Sequence, residues 1–120
     1  MSVVEQYARA HVVTDSVESE DTVRVLLRYD AEDDPRAVHV NLPGLHQEPH
    51  DWEVSRELIE RGLRAPATSG DGDISVWPLG RVQAVMEFHS TEGVEVMQFD
   101  SKALIRFLRR TYVEGAPLPR

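Results

Sequence analysis

Apolar and polar positions alternate with a period of two through most of this chain and switch to a three–four spacing twice. The alternation predicts strands at about residues 5–14, at Thr22–Tyr29, at Ala37–Leu42, and briefly at Asp51–Val54. Three more follow at Asp73–Pro78, Arg81–Phe88 and Val94–Phe99. In the second strand Val23, Val25, Leu27 and Tyr29 share one face, and Thr22, Arg24, Leu26 and Arg28 the other. Val38, Val40 and Leu42 face in from the third, with His39 and Asn41 facing out; Val82, Ala84, Met86 and Phe88 alternate the same way.

The first helical stretch starts near Ser55, which can cap it, with Glu57 in the electropositive first turn. Gly62 reads as a left-handed stop, with Leu63 folding back on Leu58, and Pro66 prevents resumption. The second helix is capped by Asp100 or Ser101. It buries Ala103, Leu104, Phe107, Leu108 and Thr111, and carries Arg106, Arg109 and Arg110 in its last turns. The order is strands, helix, strands, helix. That predicts one α+β domain over residues 1–115, two antiparallel sheets each followed by a helix, with residues 116–120 as a flexible tail.

Loop chemistry separates these elements. Asp30-Ala-Glu-Asp-Asp-Pro35 joins two strands, and its acids suit a solvated hairpin tip. A calcium loop needs a longer, glycine-bearing spacing of oxygen ligands. Pro43, Gly44 and Pro49 mark a second loop, and residues 67–72 a third.

Composition narrows the class. The 120 residues contain no cysteine, which removes disulfides, thiolate metal sites and cysteine nucleophiles. No signal peptide or apolar span is legible at the N-terminus, so the expectation is a cytoplasmic chain without membrane insertion. The net charge of −8 is uneven: residues 1–60 carry 14 acids and 5 bases, residues 61–120 carry 7 and 8. Such a surface repels phosphate, so nucleic acid is a poor partner.

Candidate chemistry is sparse. His46 and His50 are spaced like helical metal ligands, but Pro49 forbids the helix that would align them. Gly70-Asp-Gly-Asp73 lacks the lysine and following helix of a phosphate loop, and reads as a tight turn. Trp52 and Trp77 could stack bases on a sheet, but packing under a helix is the preferred reading. Neither a catalytic set nor a cofactor or metal site is expected. Leu26, Val85 and Met97 interrupt polar strand faces, which predicts an apolar surface for a second subunit or a partner. Arg56 sits in the first turn of a helix, where a cation is unfavourable. A carboxylate, either Glu53 or one on a neighbouring subunit, is expected beside it.

Four segments in order resemble the SsgA-like proteins of sporulating actinomycetes. They are Leu27-Arg28-Tyr29-Asp30 with Pro35 and Ala37-Val-His39, and Trp52-Glu-Val-Ser-Arg56-Glu-Leu58 running to Gly62-Leu63. They continue with Gly70-Asp-Gly-Asp73-Ile-Ser-Val76-Trp77-Pro78 and with Leu104-Ile-Arg-Phe107-Leu108-Arg-Arg110-Thr111. The resemblance implies a Whirly-like fold commonly assembled as a trimer. It implies a non-enzymatic role in sporulation-specific cell division: choice of septum sites, recruitment to septa and cell-wall remodelling. The implied partners are the tubulin-like division protein FtsZ or another SsgA-like protein. Single-stranded nucleic-acid binding is the alternative, because Whirly-like folds elsewhere bind it. The family supplies no catalytic residues. Two departures stand out: relatives often carry a longer C-terminal part, and Gly80-Arg81 makes a tight turn where they often have a longer loop.

Overall fold

A computed structural model describes residues 3–13, 22–42, 50–91 and 93–114, with only the backbone of His50. The metal-spaced His46, the Pro43–Pro49 loop and the 116–120 tail lie outside the described residues.

Strand β1 (Val3–Val12) pairs antiparallel with β2 (Thr22–Asp30), from Val3 opposite Asp30 to His11 opposite Thr22. β3 (Ala37–Leu42) continues from β2, and β4 (His50–Ser55) completes the first meander. Helix α1 (Arg56–Gly62) leads to β5 (Ala67–Thr68), a two-residue strand inside the stretch expected to be loop. β6 (Ile74–Leu79), β7 (Gln83–Ser90) and β8 (Gly93–Asp100) form the second meander, and α2 (Ser101–Val113) follows.

The two-sheet layout needs correction. The strands form one eight-stranded sheet in the order β4-β3-β2-β1-β8-β7-β6-β5. The joint is short: Ala10, His11 and Val12 of β1 pair with Phe99, Gln98 and Met97 of β8. The Val13 amide adds a bond to the Val96 carbonyl at 2.9 Å. β1 outruns what one meander requires, and its end satisfies backbone groups that would otherwise form an open edge on β8.

The sheet curls. Trp52 on β4 meets Phe88 on β7 with ring centroids 5.2 Å apart, although five strand steps separate them. A flat sheet would hold those strands about 24 Å apart at ~4.8 Å per step. The concave face therefore closes on itself and on the helices. Val25, Leu27, Val40, Val54, Val76, Met86, Phe88, Phe99, Leu104 and Phe107 form one buried cluster there. The expected inner phases of β2 and β3 are the observed ones, as are Ala84, Met86 and Phe88 of β7; Val82, expected to share that face, precedes the strand and is exposed.

Several local features follow side-chain chemistry. Ser55 caps α1: its Oγ accepts from the Leu58 amide at 3.2 Å. Asp100 occupies the N-cap position of α2 but makes no side-chain cap bond. Instead the Ser101 amide donates to the Val82 carbonyl at 2.8 Å. The acidic turn closes as a solvated tip. The Asp34 amide donates to the Asp30 carbonyl at 2.9 Å, and the Glu32 amide to the Asp30 carboxylate at 3.0 Å.

Gly62 is not a left-handed stop. The positive-φ glycines among the described residues are Gly72, Gly80 and Gly93, and the cap after Gly62 is right-handed at Leu63. Its smallness serves packing instead. A Cβ at this position would lie 2.3 Å from both Cβ and Cγ1 of Val76 and 2.9 Å from its carbonyl oxygen. The missing side chain lets α1 rest directly on β6.

Candidate functional site

The residue that ties the helices to the sheet is Arg56. Its guanidinium lies 3.9 Å from the Tyr112 ring centroid and 5.1 Å from that of Tyr29. Nη1 donates to the Tyr29 hydroxyl at 3.3 Å and to Thr111 Oγ1 at 3.4 Å. The Tyr29 hydroxyl in turn donates to the Pro35 carbonyl at 3.0 Å, and the Arg56 amide to the Arg36 carbonyl at 2.8 Å. One cation thus links β2, the acidic turn, α1 and α2. The expected carboxylate beside it is replaced by two aromatic faces, whose quadrupoles compensate a charge at a helix N-terminus. Glu53 lies on the outer face of β4, opposite His39.

Tyr112 is held from both sides, by Arg56 on its ring and by a hydrogen bond from its hydroxyl to Glu60. That bond to a carboxylate, reinforced by partial burial, raises the phenol above its ordinary value, against the opposing pull of Arg56. Behind it, α1 and α2 enclose a groove of about 580 Å³. Leu63, Ile105, Leu108 and Val113 give it an apolar lining, and Arg64 and Arg109 also line it. Ile105 and Val113 are 41% and 73% exposed, so this apolar strip of α2 is uncovered among the described residues. The stripe was readable: residues 105, 109, 112 and 113 recur at helical spacing beside the buried 104, 107, 108 and 111. Arg106, Arg109 and Arg110 on the same turns mask it, because they read equally well as a solvated helix end.

The other expected positions disperse. Leu27, Phe107 and Leu108 are core residues, and Arg28 lies outward, 3.7 Å from the Asp30 carboxylate. Trp52 packs against Phe88 of β7, and Trp77, expected to pack under a helix, instead sits on the convex face opposite Val85, away from the Val76 side on which α1 rests. Gly70 is in an open turn closed by Asp71, whose carboxylate accepts from the Ser69 hydroxyl at 2.6 Å and the Asp73 amide at 2.9 Å. These bonds hold the Asp71 carboxyl below its ordinary value, the Ser69 bond first.

Of the expected apolar surface, Met97 is misassigned. It lies directly opposite Met86 with both side chains fully buried, because β8 turns Met97 and Phe99 toward the core and Val96 and Gln98 outward. Leu26 and Val85 do occupy the convex face. Leu26 pairs with Tyr7 and Asn41, and Val85 lies between Trp77 and Gln98. Val85 is nonetheless covered within the chain. No cluster of three or more potential metal ligands occurs among the described residues. No helix among them is long and apolar enough to cross a membrane.

A curled antiparallel sheet of two joined meanders, each followed by a helix, with a groove between the helices, defines a small α+β domain class. The family described as "Streptomyces sporulation and cell division protein, SsgA" matches residues 23–116, and the chain belongs to that family. It is 40% identical over 96 residues to the sporulation-specific cell division protein SsgB of Salinispora tropica, covering 76% of this chain and 65% of that protein. It is 36% identical over 99 residues to SsgB of Streptomyces coelicolor, covering 80% and 70%. A solved structure titled for SsgB mutations that correlate with longitudinal cell division during sporulation of Streptomyces coelicolor superimposes with a TM-score of 0.77. It is 29% identical, and the match covers 94% of this chain and 89% of the other. An SsgA-like sporulation-specific cell division protein from Thermobifida fusca shares the fold, with a TM-score of 0.72 at 23% identity, covering 95% and 83%. The chain thus spans about two thirds of the length of these curated SsgB relatives.

Proposed function

We propose that this chain regulates sporulation-specific cell division through protein contacts rather than catalysis. It would help select septum sites, recruit the division machinery and influence wall remodelling. The observation that carries the reading is the match across residues 23–116 to a family named for sporulation and cell division. The matched relatives carry the name sporulation-specific cell division protein. An uncovered groove and a convex face bearing Leu26, Tyr7 and Trp77 suit contact with other proteins. The proposed partners are FtsZ or another SsgA-like protein, met in the cytoplasm at division septa. A Whirly-like trimer is the proposed assembly, with Leu26 on the shared surface and Arg56 bracing the helices behind it.

Deletion of the gene in its native host tests the reading. Loss or misplacement of sporulation septa, with vegetative cross-walls unchanged, supports it. Normal spore chains refute it. Light scattering tests the assembly separately: three times 13.6 kDa is the expected mass.

A further inference from the structure

We propose that the groove between α1 and α2 receives an acidic amphipathic helix from a partner protein; this deepens the protein-contact reading and rests on it. Leu63 and Leu108, packed into the core behind, form the apolar base of the groove, and Ile105 and Val113 are the side chains it exposes among the described residues. Its volume of about 580 Å³ accommodates several aliphatic side chains.

Charge selects the occupant. The chain carries a net −8, yet the groove presents Arg64 and Arg109, and neither makes an ion pair among the described residues. Two other cations of these helices are already engaged: Arg61 pairs with Glu57 at 3.8 Å, and Arg110 with Glu114 at 2.6 Å. The one acid lining the groove, Glu60, accepts the hydrogen bond of the Tyr112 hydroxyl. Two arginines bordering an apolar floor therefore complement a helix with leucine-like residues at i, i+3, i+4 and i+7 and carboxylates flanking them. A basic helix would meet like charge here. Tyr112, clamped between Arg56 and Glu60, gives the groove a wall already in place before binding.

The test uses the full chain and three labelled synthetic peptides of about four helical turns. One carries leucines at that spacing flanked by glutamates, the second carries the same leucines flanked by lysines, and the third is a scramble of the first. Fluorescence anisotropy is expected to rank the glutamate peptide first, with affinity that falls as salt rises. Arg64→Glu with Arg109→Glu is expected to weaken that peptide about tenfold or more and to strengthen the lysine peptide. Both arginines are exposed, so the double variant should fold; unchanged circular dichroism and melting confirm that it does. Ile105→Asp, a second and independent variant, should abolish binding of the glutamate peptide. Equal binding of all three peptides, or indifference to the charge reversal, overturns the proposal. So does a change of solution mass in the Ile105→Asp variant, which would make a second copy the occupant. Such a failure is separable from failure of the septation reading, which would appear as normal septa in the deletion strain whatever the peptides do.

Discussion

Gly62→Ala offers the sharpest test of how α1 is seated. Alanine favours a helix over glycine by about 0.8–1 kcal/mol, so on propensity alone the change should stabilise. Packing acts the other way. The added methyl would start 2.3 Å from two carbons of Val76 and 2.9 Å from its carbonyl oxygen. Carbon atoms rest about 3.5–4.0 Å apart, so α1 must withdraw from β6 by more than about 1 Å. Val76 cannot yield by rotating a flexible end, because its Cβ and backbone are themselves in contact and it is fully buried. Overpacking of this kind costs about 1–3 kcal/mol. Withdrawal also loosens Leu58 and Ile59, the buried residues of the same short helix. The cost exceeds the propensity gain, and a net loss of about 1–2 kcal/mol is expected, or roughly 3–10 °C in Tm. Urea unfolding of both proteins measures it. Repeating the change in a Val76→Ala background, which removes Cγ1, should reduce its cost by at least about 0.5 kcal/mol. A neutral or stabilising Gly62→Ala, or the same cost in both backgrounds, would refute the seating and return Gly62 to the role of a helix stop.

Other outcomes follow from the same geometry. Arg56→Lys keeps the charge but loses the planar stack, and should cost about 0.5–1 kcal/mol in urea unfolding, with Arg56→Ala costing more. Met97→Ala should cost about 2–5 kcal/mol, as a core truncation, while Leu26→Ala on the convex face should cost about 1 kcal/mol or less; equal costs would contradict the orientation of β8. Ultraviolet titration should find the Tyr112 phenol ionising above its ordinary 10.0, with Glu60→Gln bringing it down. The raised value means that its share of stability is complete below the unfolded value and is lost as pH rises through the folded one. The Glu114 carboxyl, lowered chiefly by its bond to Arg110, should titrate below its ordinary 4.5 by NMR; its contribution at the end of α2 is present above that value and lost as pH falls.

Much of the fold was legible because burial imposes a period. The strand phases of β2, β3 and β7 and the buried stripe of α2 follow directly from alternation and from three–four spacing. What failed were features set by distant chain. Gly62 looks like a stop locally, and only Val76, fourteen positions later, shows why it is small. Met97 and Val96 are both apolar, so alternation could not say which faces in until Met86 and Val12 fixed the register. The two sheets became one through three residue pairs that carry no sequence signature. The Arg56 site was half legible. An unfavourable cation at a helix start announced a compensating partner, but Tyr29 and Tyr112 lie 27 and 56 positions away, and nothing local selects aromatic faces over a carboxylate.

The most direct measurement is time-lapse imaging of a fluorescent fusion of this chain together with a labelled division ring in the sporulating native host. The protein is expected at regularly spaced sites before or with the ring, and the ring should fail to space regularly when the protein is deleted. A signal that stays diffuse throughout septation, with ring spacing unchanged in the deletion strain, would contradict a role in placing septa.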